Sequence, residues 1–287
     1  MRRISASDIE QVFKQHAARF YAPEFRFLSI CEFGSCLSEL KLQMTEVDPS
    51  VQNNRAIRMA SEQGHYEHVD FLMNDPRVDP SDHSNYAICL ATELGHLKIV
   101  ERLLKDPRVD ITALDHHAIR TSSQNGHTST VQFLLKHPKV DPSAGSNFAI
   151  VLASQRGHVE VVKLLLADTR VDPTDKDNYA IRTASGHGST EVVKLLLADP
   201  RVDPSANDND AIRAASKNGR TEVVKLLLAD TRVDPSVENN EAIREAVRNG
   251  FMDVAKVLLN DPKIRFEDEA ERNATRAMSE FLRGCFN

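Results

Sequence analysis

The chain has no tryptophan, only four tyrosines and four cysteines in 287 residues, and each shortage removes a class of protein. Cys31, Cys36, Cys89 and Cys285 show no CxxC spacing, so they read as free thiols in a reducing compartment and not as a disulfide framework. No apolar run approaches the roughly 20 residues needed to span a bilayer. Polar Ser5, Ser7 and Asp8 stand where a leader after Met1-Arg2-Arg3 would need an apolar stretch. These two absences predict a cytoplasmic protein, with the nucleus open to it, and no membrane partner. An excess of basic charge is missing too: the formal net charge is −6, which offers a nucleic acid no electrostatic footprint. Walker, GxSxG, GxGxxG and HExxH motifs are absent.

What the chain does contain is a period. Val47-Asp48-Pro49 returns at Val78, Val140, Val171, Val202 and Val233, and Val109-Asp110 lacks only the proline; every step is 31 residues. Gly64, Gly95, Gly126, Gly157, Gly188, Gly219 and Gly250 keep this register and use seven of the 11 glycines. The stretch EVVKLLLAD at Glu160 recurs unchanged at Glu191 and Glu222.

Each copy divides into two short helices. In the sixth, Ala211, Ile212 and Ala215 have helical spacing, and Asn209 before them suits the free amides of a helix start. Asn fills that position in six of seven copies, His116 being the exception. The glycine then turns the chain through positive φ. A second helix follows with Val223, Val224, Leu226, Leu227 and Leu228 on one wide apolar face, and Pro235 forbids its continuation past the loop. A two-helix unit this small cannot bury its own leucines, so the neighbouring copy must cover them in a one-dimensional stack.

The motif Ala214-Ala215-Ser216-Lys217-Asn218-Gly219 followed by Glu222-Val223-Val224-Lys225-Leu226-Leu227-Leu228 resembles the ankyrin repeat, and Gly-His survives at Gly64-His65, Gly95-His96, Gly126-His127 and Gly157-His158. The resemblance covers residues 47 to about 260. It implies an all-α, ankyrin-type helix-turn-helix solenoid. Two departures stand out: the family's Thr-Pro-Leu-His opening is replaced by x-Ala-Ile-Arg, as in Asp210-Ala211-Ile212-Arg213, and the unit is shorter than the usual 33 residues. The shortening falls where the family carries its β-hairpin finger, so the fingers are expected to be short or absent.

The expected organisation is an amphipathic helix over 1–22, a degenerate capping repeat over 23–46, seven ankyrin-like repeats over 47–263 and a capping helix over 264–287. Within the repeats, sameness between copies reports stacking and difference at exposed columns reports function. The histidines after the glycines recur one unit apart, whereas metal ligands must converge within about 2 Å of one ion; no metal site is assigned. Carboxylates fall in repeating columns, so no catalytic residue and no cofactor site is assigned either.

The arginines at Arg58, Arg120, Arg182, Arg213 and Arg244 are expected to bond between units, the alternative being that they bind an acidic partner. Those preceding Val-Asp, such as Arg170 and Arg201, are expected in surface ion pairs. The column before the Ala-Ile pair reads Arg55, Tyr86, His117, Phe148, Tyr179, Asp210, Glu241. Its charges predict exposure, and its rings then predict a binding stripe of Tyr86, His117, Phe148 and Tyr179. Glu93, Gln124, Gln155 and Arg156, from the variable pair before each glycine, would form a polar rim. The predicted function is a non-catalytic scaffold, expected as a monomer, that holds a protein or peptide on the concave face of the array. The alternative is a substrate-receptor adaptor, for instance of a ubiquitin ligase, whose terminal helix recruits a second machine.

Overall fold

A computed structural model describes residues 23–34, 36–264 and the single positions 273 and 277. The helix expected over 1–22, and nearly all of that expected over 264–287, fall outside these. The described residues form 16 helices arranged as eight pairs, and no strand occurs among them. The short-finger expectation is therefore met: each loop that would carry a hairpin is a chain of turns.

The sixth copy shows why. Its helices run Ala206–Lys217 and Thr221–Leu228. Ala211, Ile212, Ala215, Val223, Val224 and Leu227 are at most 1% exposed, and full burial of one Val or Leu side chain stabilises by about 1.5–3 kcal/mol. Leu226 and Leu228, on the edge of the apolar face, are only half-buried. Lys225 turns outward onto Glu222 at 2.7 Å. After the helix, Asp234 folds the loop back by accepting from the amide and hydroxyl of Ser236 at 2.9 and 2.7 Å, an Asx turn.

Three consecutive left-handed residues then precede the regular part of each first helix. Asn207, Asp208 and Asn209 have φ of 53°, 54° and 56°, and the same triplet occurs in all seven copies. A left-handed residue other than glycine costs roughly 1–2 kcal/mol, least for Asn and Asp. The Asn, Asp, Ser and Gly in these triplets follow from that cost.

The chain divides between Ala118 and Ile119 into two compact units. Inside each, first helices pack on first helices and second on second, as Asp175–His187 does on Ala206–Lys217 and Thr190–Ala198 on Thr221–Leu228. In the first unit Pro23–Phe33 packs on Val51–Glu62 in the same way.

Two polar devices fix the spacing of the copies. The first corrects the capping expectation for Asn. Asn147 is buried at 6% exposure; its Oδ1 accepts from the Asp172 amide at 2.8 Å and its Nδ2 donates to Asp175 at 3.0 Å. Asn54 makes the same pair of bonds to Asp79 and Asp82, and Asn178 and Asn209 accept from Asp203 and Asp234. A left-handed residue aims its side chain away from the helix it precedes, so the amide clasps the next copy instead of capping its own.

The second device is the histidine. Gly126 at φ 76° ends a first helix, and the His158 ring of the next copy lies so close that a Cβ there would come within 2.6 Å of it. His158 Nε2 donates to the Gln124 carbonyl at 2.8 Å, and His96 does so to Glu62 at 3.0 Å. The glycine is thus needed twice, for its φ and for its missing side chain. The arginines before Val-Asp also reach further than surface pairs. Arg170 forks onto Asp168 at 2.9 and 2.6 Å and donates on to the carbonyls of Val140 and Leu135 in the preceding copy, both at 2.9 Å.

Candidate functional site

With the clasps and rings satisfied, what remains for function is the surface of the first helices. In the second unit it carries a groove of about 340 Å³ between Asp175–His187 and Ala206–Lys217. Its floor is made by small residues. Gly186 stands where the other copies have Glu62, Glu93, Gln124, Gln155, Lys217 and Arg248, and Ala214 stands opposite. Gly186 has no positive φ, and a Cβ built on it would meet Ala214 at an ordinary 3.4 Å. The backbone therefore does not demand glycine here. Its effect is to leave space.

The walls are aromatic and polar. The Arg182 guanidinium lies 5.5 Å from the centre of the Tyr179 ring, within cation–π range. Arg182 Nε donates to Asp210 at 2.7 Å, and its Nη1 donates to the Lys176 carbonyl at 3.2 Å. His187 Nδ1 donates to the Thr183 carbonyl at 2.9 Å, which leaves Nε2 to accept from the Gln155 amide at 3.0 Å. Asn218, exposed, donates to the Ala214 carbonyl at 2.9 Å.

Arg220 completes the groove. It fills the position held by histidine in earlier copies, and its Cδ would lie 2.8 Å from a Cβ on Gly188. Its Nε donates to the Gly186 carbonyl at 3.2 Å. The histidine clasp is thus kept in an altered form. Its two terminal nitrogens have no hydrogen-bond partner among the described residues, and the side chain is exposed.

The expected stripe divides over the two units. In the first, Tyr86 is 39% exposed with its ring edge-on to His83 at 5.6 Å, and half-buried His117 has its Nε2 3.9 Å from Glu93. In the second, Tyr179 lines the groove, Phe148 is half-buried, Gln155 reaches His187, Arg156 is exposed and Gln124 is half-buried. The premise that acids in this column signal exposure needs correcting. Asp210 and Glu241 are half-buried, with side chains 28% and 33% exposed, and they pair with Arg182 and Arg213 of the preceding copy. Those two arginines do bond between copies as expected. Arg58, Arg213 and Arg244 also donate to a carbonyl of their own left-handed triplet, that of Gln52, Asn207 and Glu238.

Sequence reasoning passed over Arg182 and Arg220 as groove residues. Arg220 had a visible signal: after the glycine the seven copies read His65, His96, His127, His158, Ser189, Arg220, Phe251. Among the described residues, no cluster of three or more His, Cys, Asp or Glu is placed to hold a metal ion. No described helix is long and apolar enough to cross a membrane.

The helix pairs, the turning glycine and the stacked Val and Leu columns agree with the comparison with known families. The family described as ankyrin repeats (3 copies) matches at residues 90–177, 116–208 and 180–269, more than half of the chain. Curated proteins yield no match. The chain belongs to the ankyrin-repeat family, whose repeats are in general protein–protein interaction modules.

Proposed function

We propose that the chain is a non-catalytic interaction scaffold and that a protein partner, folded or extended, lies across the first-helix surface of the second unit, centred on the Tyr179 groove. One contrast carries this reading. The Asn, His and Arg columns of the framework repeat and bond from copy to copy, whereas the groove residues Gly186, Ala214 and Arg220 differ from their counterparts, and Arg220 leaves two terminal nitrogens without a hydrogen-bond partner among the described residues. An exposed ring sharing a groove with a guanidinium that has two unpaired nitrogens is a residue pairing that interface hot spots favour. An open trough with its histidine and acid already bonded offers no nucleophile–base pair, and so supports binding above catalysis. The partner is expected to contact Tyr179, Gln155 and Arg156, with Phe148 and Gln124 on the flank; Tyr86, His117 and Glu93 would serve a separate contact in the first unit.

A photo-crosslinking amino acid placed at Tyr179 tests this, with Lys194, exposed on a second helix, as the matched control. In cell extract the Tyr179 probe should give a discrete protein adduct that the Lys194 probe does not. Adducts from both positions alike, or from neither, would remove the reading. Gly186→Leu, whose Cβ meets Ala214 at an ordinary distance, should abolish the adduct with a melting temperature no lower than wild type, since a helix-interior glycine is itself unfavourable.

A further inference from the structure

Several cations of the second unit close on carboxylates: Arg170 on Asp168, Lys163 on Glu160 and, beside Gly250, Arg248 on Glu245. Lys136, Lys176 and Lys256 are exposed and unpaired among the described residues, each by itself, whereas three further cations stand beside Gly157 and Gly219. Arg156, Lys217 and Arg220 are all exposed, none makes an ion pair among the described residues, and only Arg220 makes a hydrogen bond, to the Gly186 carbonyl. Arg156 lies beside Gly157, and Lys217 and Arg220 lie on either side of Gly219, so the two junctions stand one copy to either side of Gly186-His187. At the corresponding positions of the first unit stand Glu62, Gln63, His65, Glu93, Leu94 and His96. Asp210, the only carboxylate lining the groove, is neutralised by Arg182 at 2.7 Å.

We infer that the partner segment seated here is acidic. One carboxylate would take the two free terminal nitrogens of Arg220 as a fork, the geometry in which guanidinium binds carboxylate best. A neighbouring apolar side chain would enter the space above Gly186 and lie on the Tyr179 ring. Arg156 and Lys217 would draw further carboxylates along the segment. Nucleic acid fits less well. Its affinity comes from many phosphates neutralised at once, and three unpaired cations on a chain of net charge −6 supply few. The inference rests on the function proposed above and narrows it to one partner chemistry.

Fluorescence anisotropy with the full chain tests it, using a short labelled peptide that alternates Glu and Asp around one Phe. Its Gln/Asn counterpart and a short oligothymidylate are the comparison probes. The acidic peptide should bind at low salt and weaken toward physiological ionic strength. It should lose at least about tenfold in affinity on Arg220→Gln combined with Arg156→Gln and Lys217→Gln, a change equal to 1.4 kcal/mol. These side chains are exposed, so circular dichroism should show the triple variant folded as wild type. Gly186→Leu should weaken the same peptide.

Equal binding of the acidic and neutral peptides, an unaffected triple variant, tighter binding of the oligonucleotide, or no acidic-peptide binding would each overturn the inference. If the Tyr179 crosslink still captures a protein in any of those cases, the scaffold reading stands and only the charge argument falls. If the crosslink fails while the acidic peptide binds at Arg220, the charge argument stands alone.

Discussion

Replacing Asn147 by glycine and by alanine, with Ser146→Gly beside them, separates the backbone cost of the left-handed triplet from the value of the clasp. Ser146 and Asn147 have φ of 63° and 56°. Ser146 is exposed and bonds to nothing described, whereas Asn147 is 6% exposed and joins Asp172 and Asp175 of the next copy. Glycine relieves the left-handed penalty of about 1–2 kcal/mol, so Ser146→Gly should be neutral or stabilising by up to about 1 kcal/mol. Asn147→Gly gains less relief, because Asn bears the smallest left-handed cost, and loses two hydrogen bonds, each about 0.5–1.5 kcal/mol net, while stranding the part-buried Asp172 amide at a further 1–3 kcal/mol or so. The net expectation is a loss of about 1–6 kcal/mol. Asn147→Ala keeps the backbone strain and should lose more than Asn147→Gly, at least about 2 kcal/mol. Urea unfolding followed by circular dichroism ranks the variants, and hydrogen exchange at the Asp172 amide reads the clasp directly. Because stability in a repeat array is a sum of neighbour terms, weakening one interface should also flatten the transition. The reasoning fails if Asn147→Gly is as stable as Ser146→Gly, or if the Asp172 amide stays equally protected.

Gly250→Ala should cost only the left-handed penalty of roughly 1–2 kcal/mol, since nothing lies within 4 Å of its added Cβ, whereas Gly126→Ala must also displace the His158 ring and should cost clearly more; equal melting temperatures would dismiss the ring contact as a determinant. The thiols should react in order: burial pushes Cys31 up to about 12 and Cys89 up to about 11, while exposed Cys36 is held low by its hydrogen bond with Ser38. In a Cys285→Ser background one thiol should therefore titrate in the native chain and three after denaturation, and fast labelling at Cys31 or Cys89 would contradict the packing. The guanidinium bonds of Arg170, Arg201 and Arg232 hold Asp168, Asp199 and Asp230 below the usual carboxylate range. Because the folded values are the lower ones, the stability these pairs add is full above the unfolded value of about 3.9. It drains away as pH falls through the folded values, so unfolding midpoints should hold from neutrality to about pH 4 and then drop. Changing all three aspartates to asparagine should shallow that drop, and an unchanged acid slope would show that other groups cause it.

How far the sequence can be read depends on whether a feature lies along the chain or across it. The period, the helix pairs, the glycine turns and the Val and Leu columns were legible, because each is a statement about one copy repeated. Bonding between copies was expected of the Arg column, but the partners of these polar contacts were not legible, because they need an offset that no single copy contains. Asn147 meets Asp172 at a separation of 25 residues, Arg182 meets Asp210 at 28, and Arg220 meets the Gly186 carbonyl at 34. Read without those offsets, Asn looked like a cap for its own helix and the acids at Asp210 and Glu241 looked like marks of exposure. With them, the column of Arg58, Cys89, Arg120, Val151, Arg182, Arg213 and Arg244 can be set against the residue 28 further on. An acid follows Arg182 and Arg213, and there the ion pairs form. Tyr179 follows Val151, an uncharged partner, and turns its ring to Arg182 of its own helix instead. The groove also depends on an offset of 28, from Gly186 to Ala214: two small residues make a space only when they face each other. Gly186 is the one small residue in its column, but the column alone does not show that Ala214 faces it, which is why the ring at Tyr179 could be picked out from the sequence and the hollow beside it could not.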